Sequence, residues 1–375
     1  MTRYVIALLE LGISNNDVVS LLSECPNNIK GMFDPEKYVF ENSFRLMRYF
    51  SVFENTGNVS NALEKADIIL QRNKELGIKT TYYTASTYPE ELAKIDNPPA
   101  VIYYKGAEFN KVSNKIIACV GTRKPSKFSY NAVNYLIPQW VNEDCAIASG
   151  LACGVDKISH QACITAGGKT IAVLAHGLDM IYPKENSSLA DRILESGGIL
   201  MSEYPVGTHV EKYRLVNRNR LIVGMAKAVV IFECDAKSGT IHNAEYAAKQ
   251  HKPIFCPYIG KVNNEVQTGT KHLIDKKIAT VIKQGRDISS VLEAVGAAVT
   301  KERMSNMQIK FNYLQSVLSI IQKPIVLKAT LQDMHLNIPV SSDMYSAFVD
   351  LFQKKQINID VLISTLVENN IVYGE

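Results

Sequence analysis

Three short stretches set glycine, hydroxyl side chains and fixed positive charge side by side, a combination that suits an anion. In VGTRKPS (120–126), Gly121 permits a sharp turn, Thr122 and Ser126 offer hydroxyls, and Arg123 and Lys124 bring charge. A helix that starts just beyond such a loop points its free amides at the same spot, so a phosphate fits these parts best. ASGLACGVDKISH (148–160) repeats the plan with Ser149, Gly150 and Gly154, then Asp156 as a candidate helix cap, Lys157 and His160. AKSGTIHNAEYA (236–247) supplies a third cradle from Lys237, Ser238, Gly239 and Thr240. Each also has a plainer reading: a solvated turn, a glycine for tight packing, a capped helix.

LVNRNRLIVG (215–224) poses a sharper question, because Arg218 and Arg220 stand directly against apolar residues. A buried arginine needs a partner. Asp179, Glu203, Glu233 and Asp235 stand near the ends of apolar runs, where they serve as such partners or as acids and bases. The expectation is that one arginine faces a phosphate and the other is braced by an internal carboxylate, with Asn217 as a helix cap. Ser149, His160 and Asp156 also admit a nucleophilic triad, but no G-x-S-x-G elbow presents the serine. Neither G-x-G-x-x-G nor a P-loop is present, which weighs against dinucleotide binding and ATP hydrolysis.

These loops need a frame to position them. From about residue 76, KIIACVG, CAIASG, KTIAVLAHG, ILMSEY, KAVVIFEC and KPIFCPY read as strands. Helix-length segments such as DKISHQACITAGG, SSLADRILESGG and TIHNAEYAAKQ separate them. Strands that are apolar throughout indicate a parallel sheet covered on both faces, a Rossmann-like, doubly wound α/β core. Ligands of such sheets bind at the carboxyl ends of the strands, where the three loops lie. Pro138 falls inside the amphipathic stretch after the first loop and predicts a kinked or shortened helix. The expected domains are a helical N-terminal domain (1–75), the Rossmann-like core (76–290) and a helical C-terminal domain (300–375). The last has helical segments around 305–322, 341–355 and 358–369.

A chain of 375 residues with 46% hydrophobic side chains can bury a sizeable core. No uncharged apolar run nears the roughly 18 residues of a membrane span, and MTRYVIALLELG reads as a first helix instead of a signal peptide. Seven cysteines, without CxxC or Cys/His clusters, suggest reduced thiols in a cytosolic compartment and offer no metal site. No cofactor is expected. Net charge is only +4, but residues 111–130 hold Lys111, Lys115, Arg123, Lys124 and Lys127 without an acid. Residues 301–375 carry seven basic and seven acidic side chains and so show no electrostatic footprint for nucleic acid.

Taken in order, GTRKPS, SGLACGVDKISH, GLDMIYP, GGILMSEYPVG, NRNRLIVG and KSGT resemble the DNA-processing protein A family (DprA, also called Smf). GIKTTYYTASTYPEELAKIDNPPAVIYYKG (77–106) is similar to the segment leading into that family's core, and TGTKHLI (268–274) to its closing segment. The resemblance spans about residues 77–282. It implies a cytoplasmic, usually dimeric, Rossmann-like protein that binds single-stranded DNA and hands it to a RecA-type recombinase during natural transformation. Carried over by motif, the pocket takes Gly121, Thr122, Arg123, Ser126, Ser149 and Gly150, then Arg218, Asn219 and Arg220, then Lys237 to Thr240. Lys124 and Lys157 add charge beside it.

The sequence departs from the family pattern where Cys153 replaces a basic residue, Leu215-Val216 replaces Phe-Pro, and Ser126-Lys127-Phe128-Ser129 replaces S-x-Y-G. IDVLISTLVENNIVYGE (359–375) reads as a remnant of the family's C-terminal winged helix. Three functions are in play. A non-enzymatic strand binder would grip phosphates with these cations and stack bases on Phe128 and Tyr130. A nucleotide-cleaving enzyme or nucleotide sensor would want G-G-x-G-T-x-x-E, and here Asn243 stands at the acid's position. A recruitment module would use the end domains.

Overall fold

A computed structural model describes residues 1–24, 29–34, 49–236, 238–258, 267–283, 285–297, 327–331 and 336–340. Four helices lead the chain: α1 (Thr2–Glu10), α2 (Asn15–Glu24), α3 (Phe50–Glu54) and α4 (Thr56–Glu75). Next come β1 (Lys79–Tyr82), α5 (Glu90–Ala93), β2 (Val101–Gly106), β3 (Ile116–Val120) and α6 (Lys127–Val141). β4 (Ala146–Ser149), α7 (Val155–Thr165), β5 (Thr170–Leu174), α8 (Ser187–Glu195) and β6 (Ile199–Ser202) then alternate strictly. α9 (Lys212–Asn217) and α10 (Asn219–Met225) precede β7 (Ala228–Ile231), α11 (Ile241–Lys249) and β8 (Ile254–Pro257). α12 (Thr268–Asp275), β9 (Thr280–Ile282) and α13 (Gly285–Ala294) complete the alternation. Farther on, β10 (Leu327–Leu331) and β11 (Leu336–Val340) pair antiparallel.

Among the described residues, β1 to β9 form one sheet in the order β1-β2-β6-β5-β4-β3-β7-β8-β9. The pairs β1–β2 and β2–β6 are antiparallel, and every other pair is parallel. This is the expected doubly wound α/β fold. The chain winds outward from β3 through β4, β5 and β6, then returns to the other flank of β3 with β7. The reversal between β3 and β7 is where such sheets open a crevice for ligand.

Side-chain alternation explains why both faces are covered. Ala118 and Val120 of β3, Ala148 of β4, Val173 of β5 and Val229 and Ile231 of β7 bury one face under α5, α10, α11 and α12. Ile117 and Cys119, Ile147, and Ala228 and Val230 point the opposite way, into α6, α7 and α13. On that second face, Val101 and Tyr103 of β2, Ala172 and Leu174 of β5 and Leu200 of β6 share an apolar cluster with α1, α2 and α8. Helices α1, α2 and α4 therefore share a core with the sheet. Division of the chain near residues 75 and 290–300 is retained as a proposal. The helices expected at 305–322, 341–355 and 358–369 lie outside the described residues.

Pro138 does not shorten α6, which runs on to Val141. Trp140, two residues past the proline, is fully buried beside Phe232 with ring centroids 6.4 Å apart. That burial stabilises the last turn despite the amide that proline lacks. Trp140→Ala is expected to lose about 3–5 kcal/mol, read as a lower urea midpoint at unchanged slope.

Candidate functional site

At the β3/β7 reversal the loops enclose a pocket of about 500 Å³. The loop after β3 contributes Gly121, Thr122, Arg123 and Lys124, and the loop after β7 contributes Ser238, Gly239 and Thr240. Arg218 and Asn219 close a third side. Three segments that lie far apart in the sequence are thus brought to one place, as their motifs predict. Lys237 lies outside the described residues.

Glycines set how closely the loops approach. Gly154 has φ +83°, and a Cβ there would overlap the Thr122 carbonyl and lie 2.6 Å from Arg123 Cα. The Val155 amide donates to the Thr122 carbonyl at 3.1 Å, locking the β4 loop against the β3 loop. Buried Glu233 anchors the same segment from β7: its carbonyl accepts the Thr122 amide at 2.7 Å, and its carboxylate accepts the Ser126 amide at 2.8 Å. Thr240 Oγ1 donates to the Gly121 carbonyl at 3.1 Å, so it clamps two loops instead of capping α11. Glu233 was among the four uncommitted carboxylates, and its position straight after a buried strand was the available signal.

The two arginines have different roles. Arg220 pairs with Glu203, and both side chains are largely buried. Burial raises the Glu203 carboxyl above its ordinary range while Arg220 works against that shift. Arg218 is 4% exposed, and its Nη1 donates to the Gly150 carbonyl at 2.6 Å and to the Val173 carbonyl at the end of β5. Burial pulls its guanidinium down to about 10, although Asp156 opposes this, so it stays charged at neutral pH. Burial likewise raises the Asp156 carboxyl against the field of Arg218. Arg218 Nε is buried with no hydrogen-bond partner at the pocket wall.

Several expected ligands turn out to be braces. Ser149 Oγ donates to the Cys119 carbonyl at 2.6 Å and is fully buried. Ser126 caps α6, accepting the Ser129 amide at 3.3 Å. Gly150 makes room for Arg218, because a Cβ there would overlap the guanidinium. Lys157 is half-buried on α7, away from the lining. Asp156 accepts the Gly150 amide at 3.2 Å instead of capping α7, whose N-cap is Gly154. Asn217 caps nothing at a helix start, since it is the last residue of α9.

The triad does not assemble either: His160 Nδ1 bonds Thr170 Oγ1 at 2.7 Å, and that hydroxyl donates to the Ile147 carbonyl. The expectation of free amides at the α11 start also fails, because the amides of Ile241, His242 and Asn243 bond the carbonyls of Ser238, Gly239 and Thr240. The sequence reading missed an apolar wall made by Leu215, Val216 and Ile222. Ile222, four residues past Arg218 on the helical repeat, was legible in principle.

The family model for DNA recombination-mediator protein A matches residues 79–293. The DNA processing protein DprA of Bacillus subtilis is 36% identical over 210 residues, which covers 54% of this chain and 70% of that protein. Protein Smf of Synechocystis is 38% identical over 171 residues, 45% of this chain and 43% of that protein. The X-ray structure of DprA from Streptococcus pneumoniae superposes with a TM-score of 0.63 at 26% identity, over 77% of this chain and 98% of that one. DprA from Helicobacter pylori, described for its single-stranded DNA binding mode, superposes with a TM-score of 0.52 at 28% identity, over 58% of this chain and 96% of that one.

Two outcomes follow from the buried groups. Gly150→Ala is expected to cost about 1–3 kcal/mol by displacing the Arg218 guanidinium, seen as a lower urea midpoint. Burial lowers the His160 pKa from 6.5 to about 3. Above pH 6.5 the imidazole is neutral in both states and adds no pH dependence. As pH falls toward 3, only the unfolded chain takes up the proton, so this group removes about 1.4 kcal/mol of stability per unit. Asp156, raised in the fold, acts in the opposite direction, in wild type and in a His160 variant alike. His160→Gln should therefore flatten the acid-side loss in urea titrations between pH 6.5 and 4; an unchanged slope would contradict the assignment.

Proposed function

The chain belongs to the DNA recombination-mediator protein A family, and we propose that its pocket grips the backbone of single-stranded DNA. The observation that carries this reading is the convergence of Arg123, Lys124 and Arg218 with the Gly121 and Gly239 loops at the sheet's switch point. Exposed Arg123 and Lys124 meet phosphate first. Buried Arg218 supplies a fixed charge behind them. The single-stranded DNA binding described for the Helicobacter pylori relative supports the same ligand.

We extend the proposal to a homodimeric, cytoplasmic protein that presents the strand to a RecA-type recombinase; these elements rest on the family resemblance. Among the described residues no helix is long and apolar enough to cross a membrane. Binding, not bond cleavage, is the activity. Asn243 occupies the place of the acid that nucleotide-cleaving relatives of this scaffold carry, and Glu245 turns to His242 at 2.9 Å. Cys153 is exposed where the family pattern has a cation, so the grip here depends more heavily on Arg123 and Lys124.

Fluorescence anisotropy of a labelled oligothymidylate, titrated at several salt concentrations, tests the reading. Arg123→Ala should bind about tenfold more weakly, with a log–log salt slope shallower by about 0.7. Arg220→Ala strands Glu203 and should lower the urea midpoint while keeping the wild-type salt slope. Wild-type protein that binds no strand at low salt, or Arg123→Ala that binds like wild type, would refute the proposal.

A further inference from the structure

Beside the pocket, α9 carries a feature that phosphate binding does not use. Tyr213 is the most exposed of the large hydrophobic side chains among the described residues, at 54%. Its neighbour Arg214 lies over both the Tyr213 and the Tyr204 rings, 5.3 Å from each centroid. Arg214 Nε also donates to the Tyr213 hydroxyl at 3.0 Å. Arg214 is fastened in turn by the His209 carbonyl and by Glu211 at 3.2 Å. An exposed tyrosine ordinarily has two rotatable angles to lose on binding; this one is already braced by its neighbour.

Position gives the ring a purpose. Tyr213 and Val216 are three apart on α9, so their Cβ atoms sit about 5–6 Å from each other on one helix face. Val216 is part of the pocket wall. A strand whose phosphate rests on Arg123 and Lys124 and that runs toward α9 meets this ring within one helical turn of the pocket. By contrast, Phe128 is half-buried, and Tyr130 is 36% exposed and already engaged with a partner. The two aromatics named from the sequence are thus poorer platforms than Tyr213.

We propose that Tyr213, braced by Arg214 against Tyr204, is a stacking platform for a base of the single strand that flanks the phosphate pocket. The proposal rests on the strand-binding reading above. The ligand face is a π surface, so it accepts any base and discriminates only between a base and none.

The test exploits the chain's single tryptophan, Trp140, which is fully buried and remote from solvent. In Tyr213→Trp, the new indole reports on contact. Oligothymidylate should quench it at saturation, whereas an abasic oligomer of equal length should not. In anisotropy titrations, Tyr213→Ala should lose about tenfold for oligothymidylate and nothing for the abasic oligomer, with an unchanged salt slope. Tyr213→Phe should bind like wild type.

Equal loss of both oligomers in Tyr213→Ala would mean a general structural role and would overturn the proposal, as would no loss at all. Wild-type protein that binds neither oligomer would overturn the strand-binding reading itself, which separates the two failures.

Discussion

The guanidinium of Arg218 is the constraint on which the site depends. It takes the carbonyls of Gly150 and Val173, so one cation ties together the ends of β4 and β5. Neither it nor Asp156 is comfortable, since burial pushes the arginine down and the carboxyl up. Removing either would leave the other buried without its countercharge, an expensive state. The packing explains why glycine stands at 150 and why Asp156 bonds that glycine's amide. A residue that looks like a ligand from the sequence is thus a rivet of the fold, with its Nε left unpartnered at the pocket wall.

Around that rivet the loops hold one another through main-chain bonds. Thr122 is gripped from two sides, by Glu233 at its amide and by Val155 at its carbonyl. Gly121 is held by Thr240. Such mutual bracing fixes the backbone that carries Arg123 and Lys124, which lowers the loop entropy that binding of any ligand there would cost. It also consumes some of the groups that the motifs advertise. The hydroxyls of Ser149 and Thr240 are spent on carbonyls of neighbouring segments, whereas Ser238 Oγ is buried at the pocket wall without a hydrogen-bond partner.

The frame was legible because burial on both faces leaves a plain mark: KIIACVG, CAIASG and KAVVIFEC have no polar face and became β3, β4 and β7. The same topology brings the loops after β3 and β7 to one pocket. Individual roles were not legible. Which arginine met a carboxylate depended on where β6 lay, and sequence spacing does not report that Glu203 sits beside Arg220. Ser149 and Ser126 could not be separated from true ligands by type, since a hydroxyl serves a carbonyl as readily as a phosphate. Pro138 misled because local propensity was outweighed by the burial of Trp140. Tyr213 went unnoticed because one aromatic in a charged segment carries no period to read.

The shared cluster on the second face of the sheet has a further consequence. The stretch that the family model matches begins at residue 79, which makes it the natural piece to excise for study. Excision there would strip α1, α2 and α4 from Val101, Tyr103, Ala172, Leu174 and Leu200. A bared half-face of that kind is sticky in water. Particles formed by a trimmed chain would then measure the wound left by trimming, and their stoichiometry would say nothing about how the whole chain assembles.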